Sequence, residues 1–180
     1  SSDYYDKMYR KGGWKALTNI SLAIGQDALL SNPIQMANMT AAIANKGFYY
    51  TPHVVKEIEG DTIPSRFLKP KKTMIDTEYF DLVIRGMQEV VDNKELGTSN
   101  AAKMDSISVC GKTGTAENPH GEDHSIFIAF APKENPQIAL AVYVENGGWG
   151  STWAVPIGSL MLEEYLTDSI KRMELEKHIL

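Results

Sequence analysis

Three apolar runs held apart by short polar stretches, residues 106–110, 125–131 and 138–145, constrain the fold more than any other feature of this chain. Each run is too short for a helix and rich in β-branched or aromatic residues, so each reads as a strand. Strands joined by connections this short pair antiparallel, and the expectation is a three-stranded meander. Residues 132–136, bounded by Pro132 and Pro136, supply its second turn, and the glycine-rich stretch 146–150 is its exit.

Helical signals surround the meander. Asn32, Pro33 and Gln35 read as an N-cap, a first-turn proline and a capping-box partner, opening a helix through Asn45 that Gly47 can close. Its face of Ile34, Ala37, Ala41 and Ala44 is mostly small, which predicts a buried helix in close contact with a sheet or another helix. Residues 48–59 read as a strand ending in a turn at Gly60 and Asp61. A second helix is expected over residues 76–91, with Phe80, Val83, Ile84, Met87 and Val90 at helical spacing, followed by a polar connector over 97–103. Ile157, Leu160, Met161 and Tyr165 mark an amphipathic third helix before a charged tail from Asp168. The order helix, strand, helix, three strands, helix predicts an α/β protein of the α+β type, an antiparallel sheet flanked by helices.

At 180 residues and 43% hydrophobic content the chain suits one domain. The net charge of −5 comes from interspersed acids and bases with no basic stripe, which argues against a nucleic-acid partner. The single cysteine, Cys110, lies among apolar neighbours and reads as an inert buried thiol. No run approaches the ~18 apolar residues of a membrane span, and the first ten residues do not form a signal peptide, so any export signal is expected upstream.

The candidate chemistry sits at the end of the first meander run, in Lys112, Thr113, Gly114 and Thr115. A Lys-Thr-Gly element is one of three motifs used by serine enzymes that open β-lactams or join peptidoglycan peptides. The other two are missing: no Ser or Thr has a Lys three residues on, and no Ser-x-Asn occurs. Thr98, Ser99 and Asn100 are the nearest decoy, set aside because Thr stands where Ser is wanted and the spacing to Lys112 is short.

The tetrapeptide within "SVCGKTGTAE", then "HSIFIAFAPKENPQIALAVYVENGG" and "WAVPIGSLMLEEYL", with "IGQDALLSNPIQMANMTAAIANKG" before them, resembles the C-terminal part of the transpeptidase domain of class B penicillin-binding proteins, elongation type. The resemblance runs from about Leu22 to Leu166, and it implies that residues 1–180 are the C-terminal portion of that domain, with the nucleophilic serine motifs N-terminal to Ser1. The implied activity is that of a peptidoglycan D,D-transpeptidase acting through a serine acyl-enzyme, with D-Ala-D-Ala stem peptides as substrate and β-lactams as mimics. It also implies a membrane-anchored parent on the periplasmic face of the inner membrane, a cell-elongation glycosyltransferase partner, and no cofactor.

The residues fit those tasks physically. On a strand Thr113 and Thr115 point to the same side, so two hydroxyls can meet one substrate carboxylate, and Gly114 permits close approach at the strand edge. An extended peptide could add to that edge as a strand. By resemblance the backbone N–H of Thr115 is an oxyanion donor and Lys112 reaches into the serine motifs. The rival for the tetrapeptide is an ordinary strand end. A non-catalytic β-lactam-sensing or peptide-binding module, an assembly scaffold, and a D,D-carboxypeptidase or β-lactamase relative are alternatives for the whole. His120 and His124 evoke a metal site, but Pro119 and Gly121 argue against the helix that would align them, so no metal is expected. His53 and the glycine-rich 146–150 stretch read as ordinary, the latter as a turn and not a phosphate cradle. Trp149 and Trp153 are expected to pack in the core or dock a helix.

Overall fold

The computed structural model describes residues 2–10, 12–26 and 29–180, in two compact units, Ser1–Ser31 and Asn32–Leu180. The first unit holds two eight-residue helices, α1 (Ser2–Tyr9) and α2 (Ala16–Ala23). Trp14 donates from its indole nitrogen to Asp6 at 2.9 Å, and its ring lies 5.8 Å from that of Tyr5. This contact closes the turn onto α1.

The second unit opens with α3 (Pro33–Ala44), built as its cap residues predict. The Asn32 side chain accepts from the Gln35 backbone at 2.9 Å, and the Gln35 side chain accepts from the Asn32 backbone at 3.0 Å. The helix ends in a Schellman turn in which Lys46, at φ +53°, is the left-handed residue and Gly47, at φ +110°, donates to the Ala42 carbonyl at 2.9 Å. The helix is only half-buried, through Thr40, Ala42 and Ala44, while Ile34 is exposed.

The long strand expected over 48–59 is corrected to two residues, β1 (Phe48–Tyr49), paired antiparallel with β2 (Lys71–Lys72). Pro52 removes a ladder donor, and β-propensity without a neighbouring strand holds no strand. The turn at Gly60 and Asp61 does form, closed by an Asp61 to Ile58 backbone bond at 3.2 Å. A short helix, α4 (Ser65–Leu68), precedes β2, and α5 (Glu78–Asp92) follows it. Phe80, Ile84, Met87 and Val91 form the buried stripe of α5, whereas Val83 is exposed beside Tyr79 and Leu82.

A 3-10 turn (Asn100–Ala102) leads to the meander β3 (Cys110–Ala116), β4 (His124–Ala131) and β5 (Ile138–Val144), antiparallel throughout in the order β3-β4-β5. The first strand starts at Cys110, not Ser106. The tetrapeptide therefore lies inside the strand instead of after it.

One face of the sheet, carrying Phe127, Ala129, Leu140 and Val142, packs with Val155 and Leu162 of α6 (Ala154–Thr167). The other, carrying Cys110 and Phe130, packs with Ala44 of α3 and Phe80, Ile84 and Met87 of α5. The result is a sheet between two helical layers. Two glycines set the spacing of the first layer: a Cβ at Gly111 would stand 2.6 Å from the Phe127 ring, and one at Gly158 on α6 would stand 2.8 Å from it. Only glycine leaves room for that ring between strand and helix.

Of the expected stripe on α6, Leu160 is buried and Ile157 packs against the core, while Met161 and Tyr165 are exposed and Val155, Ser159 and Leu162 complete the buried face. The charged tail is also corrected, since it contains a further helix, α7 (Met173–Ile179). Arg172 holds the approach to α7: its guanidinium donates to Glu163 at 2.9 Å, to the Ala101 carbonyl at 2.9 Å and to the Ser159 carbonyl at 2.9 Å. Among the described residues no helix is long and apolar enough to cross a membrane.

Candidate active site

Among the described residues the strand β3 pairs with β4 alone, so its other side is an open edge, and all four tetrapeptide residues lie on it. Alternation sends Thr113 and Thr115 to the face of the sheet covered by α6, and Lys112 to the opposite face. Lys112 is exposed and its ammonium donates to the Thr113 carbonyl at 2.7 Å. The hydroxyls of Thr98 and Thr113 lie 2.7 Å apart, and Thr115 accepts at Oγ1 from the Gly150 backbone at 3.4 Å.

The register places Thr113 opposite Phe127 and Thr115 opposite Ser125. Ser125 is buried, and its hydroxyl donates to the Trp149 carbonyl at 2.9 Å while accepting from the Ala154 backbone at 3.1 Å. That satisfies one of the donors left open at the start of α6 and fixes the preceding loop over the strand. Gly150 in this loop lies so near the sheet that a Cβ on it would meet the Gly114 and Ile126 carbonyl oxygens, both at 2.6 Å.

A second loop, residues 117–123, is tied to the first. Asn118 donates from its side chain to Asn146 at 2.8 Å, Gly148 donates to the Asp123 carbonyl at 2.7 Å, and Asn146 donates from its backbone to Nδ1 of His124 at 3.1 Å. With Nδ1 an acceptor, the neutral His124 ring carries its proton on Nε2. His124 thus braces the rim. Among the described residues no cluster of three His, Cys, Asp or Glu is placed to hold a metal ion. His53 is exposed, with a ring nitrogen 2.7 Å from the Val55 carbonyl.

The two tryptophans part company. Trp153 is half-buried and its ring stacks on His178 at 5.5 Å, which is helix docking as expected. Trp149 is corrected: it is 74% exposed, because its backbone carbonyl, not its ring, is the part held by Ser125. Cys110 is fully buried and its thiol is pushed up to about 12, chiefly by burial. It is inert.

Thr98 is the residue that sequence reasoning discarded. Its short spacing to Lys112 argues against a separate motif, and the fold instead brings Thr98 onto the tetrapeptide strand itself. A Thr placed to follow a helix end and precede a strand is the only signal, and it is weak. One hollow of about 530 Å³ is lined by Ile157, Leu160, Tyr165 and Ile170, and another of about 310 Å³ by Lys103, Glu163 and Arg172. The tetrapeptide lies on an edge strand.

A sheet covered by helices on both faces, with a lysine and two hydroxyls on an open edge strand, is the architecture expected of the serine penicillin-recognising class. The chain belongs to the penicillin binding protein transpeptidase domain family, whose model matches residues 3–163. It is 31% identical to the peptidoglycan D,D-transpeptidase MrdA of Haemophilus influenzae, over 96% of this chain and 29% of that protein. It superposes on Pseudomonas aeruginosa PBP2, solved in complex with WCK 5153, with a TM-score of 0.79 and 36% identity, covering 94% of this chain and 36% of that one. Penicillin-binding protein A from Mycobacterium tuberculosis, solved as an imipenem acyl-enzyme complex, gives a TM-score of 0.69 and 27% identity over 82% of this chain and 33% of that one. The chain thus spans about a third of the proteins it matches.

Proposed function

We propose that this chain supplies one wall of the active site of a peptidoglycan D,D-transpeptidase, the nucleophilic serine and its lysine being contributed by sequence N-terminal to Ser1. The observation that carries the reading is the Lys112 to Thr115 strand lying at an open sheet edge in a chain of this family. An acyl-donor stem peptide ending in D-Ala-D-Ala adds along that edge in extended form. Its terminal carboxylate meets the hydroxyls of Thr113 and Thr115, with Lys112 adding positive charge.

The serine oxygen attacks the carbonyl carbon of the penultimate D-Ala, and the oxygen that gains charge is held by the Thr115 backbone N–H. Collapse breaks the peptide bond, the terminal D-Ala leaves as a protonated amine, and the serine ester remains. An amine from a neighbouring strand then attacks the ester, forming the cross-link and returning the proton to the serine. A β-lactam enters as the donor peptide does and stays as the acyl-enzyme, in keeping with the imipenem complex of the mycobacterial relative. The parent is anchored in the inner membrane with this domain in the periplasm, working beside a glycosyltransferase of cell elongation.

The test is Lys112→Ala in the full-length protein, with fluorescent penicillin labelling and thermal melting measured together. Labelling should fall by about 10²-fold or more with the melting temperature nearly unchanged, because Lys112 is exposed. Undiminished labelling removes Lys112 from the site, and a collapsed melting temperature makes its role structural.

A further inference from the structure

We propose that Thr98 is a positioning residue for the substrate carboxylate, donating its hydroxyl proton to Thr113 so that the Thr113 proton is free to face the ligand. The inference rests on the reading above, in which Thr113 meets that carboxylate. With the two oxygens 2.7 Å apart, one hydroxyl donates to the other. Each has a single proton. If Thr113 donated to Thr98, only its lone pairs would remain for an anion, and they repel it. If Thr98 donates, the Thr113 proton turns outward and its O–H is polarised by the bond it receives. A carboxylate at the strand selects the second arrangement.

Thr98 is held for this purpose by the end of α5. Gly97 donates to the Asn93 carbonyl at 2.9 Å and Ser99 to the Val90 carbonyl at 3.0 Å, on either side of Thr98. The Asn100 side chain donates to the Val91 and Asn93 carbonyls, both at 2.8 Å, closing the helix end. Gly97 is seated so tightly that a Cβ there would stand 2.3 Å from the Asn93 carbonyl oxygen and 2.7 Å from that of Val90. These bonds fix the backbone on either side of Thr98 and so set where its hydroxyl meets that of Thr113.

The test uses the full-length protein and two acylating probes, a penicillin with its free carboxylate and the methyl ester of the same penicillin. Thr98→Val keeps the β-branched shape and removes the donor, Thr98→Ala removes the group altogether, and Thr98→Ser keeps the hydroxyl. Second-order acylation by the free penicillin should fall about 3- to 10-fold in Thr98→Val and Thr98→Ala and stay within about 2-fold in Thr98→Ser. The ester should react at the rate of the unmodified protein throughout. Thr113→Val is the control and should lose more, again only with the free acid. Equal losses on both probes, or no loss in either Thr98 variant while Thr113→Val is selective, overturns the role of Thr98 and leaves the Thr113 reading intact. A Thr113→Val protein with no selective loss overturns that reading, and this inference falls with it.

Discussion

Gly150 lies against Gly114 so closely that a Cβ on the former would stand 2.6 Å from the carbonyl oxygen of the latter. The loop before α6 therefore rests on the tetrapeptide strand through two residues without side chains. Backbone meets backbone there, and neither side can give way as a flexible side chain would.

The first prediction follows from that contact. Gly150→Ala should destabilise the fold by about 1–3 kcal/mol, the range for overpacking a close-packed site. It should also displace the loop from Thr115 and slow acylation in the full-length protein. Gly148→Ala in the same loop meets nothing within 4 Å but sits at φ +67°, so its cost should be about 1 kcal/mol, from backbone strain alone. Urea midpoints for the two variants check the order, and a Gly150→Ala protein as stable as the unmodified one would show that the loop shifts freely.

The meander and the two long central helices were legible in the sequence because their signals are local: apolar runs with punctuated turns, and the Asn32, Pro33 and Gln35 cap. The tail helix α7 was not, since its hold on the fold comes from Arg172 reaching Ala101, a residue 71 positions away. The 48–59 run failed for a related reason, because a strand needs a neighbour and the sequence does not say where one lies. The tetrapeptide was found from its residue types, while Thr98 joins it through a fold-back that no spacing rule describes. Trp149 defied expectation because burial acts on its backbone and leaves the ring outside.

The Arg172 staple carries its own expectation. Glu163 is 6% exposed and its ion pair with Arg172 is at 2.9 Å, so removing the guanidinium leaves a carboxylate buried without its partner. Arg172 is itself partly exposed, and solvent screening lowers the cost below that of a fully buried pair. Arg172→Ala should destabilise by about 2 kcal/mol and loosen α7, while Arg172→Met combined with Glu163→Leu should recover most of the loss. Denaturant melts and hydrogen exchange over residues 170–180 check both, and a single variant milder than the double one would contradict the account.

Cys110 gives a pH prediction with a definite sign. Burial raises its thiol from 9.0 to about 12 in the folded chain, so between those values the folded state holds a proton that the unfolded state has released. The stabilising contribution is complete below about pH 9 and is lost as pH rises toward about 12. The slope of stability against pH over that window should be shallower in Cys110→Ala than in the unmodified protein. A thiol reagent at pH 8 should label the native chain no faster than it unfolds. Rapid labelling of folded protein would mean that the strand end opens locally, against its 0% exposure.

This chain alone should form no covalent adduct with a penicillin. Acylation needs a serine with an adjacent base, and no Ser or Thr in the sequence has a Lys three residues on. Ser125 on β4 and Ser159 on α6 are fully buried and bonded to backbone groups, so neither is free to attack. Lys112 directs its ammonium to the Thr113 carbonyl and not to a serine hydroxyl. Fluorescent penicillin, denaturing gel and competition by unlabelled drug form the test. No competable band should appear with this chain, and a strong one should appear with the full-length protein under the same conditions. A competable band from this chain would place a nucleophile within these 180 residues and sink the division of the active site proposed above.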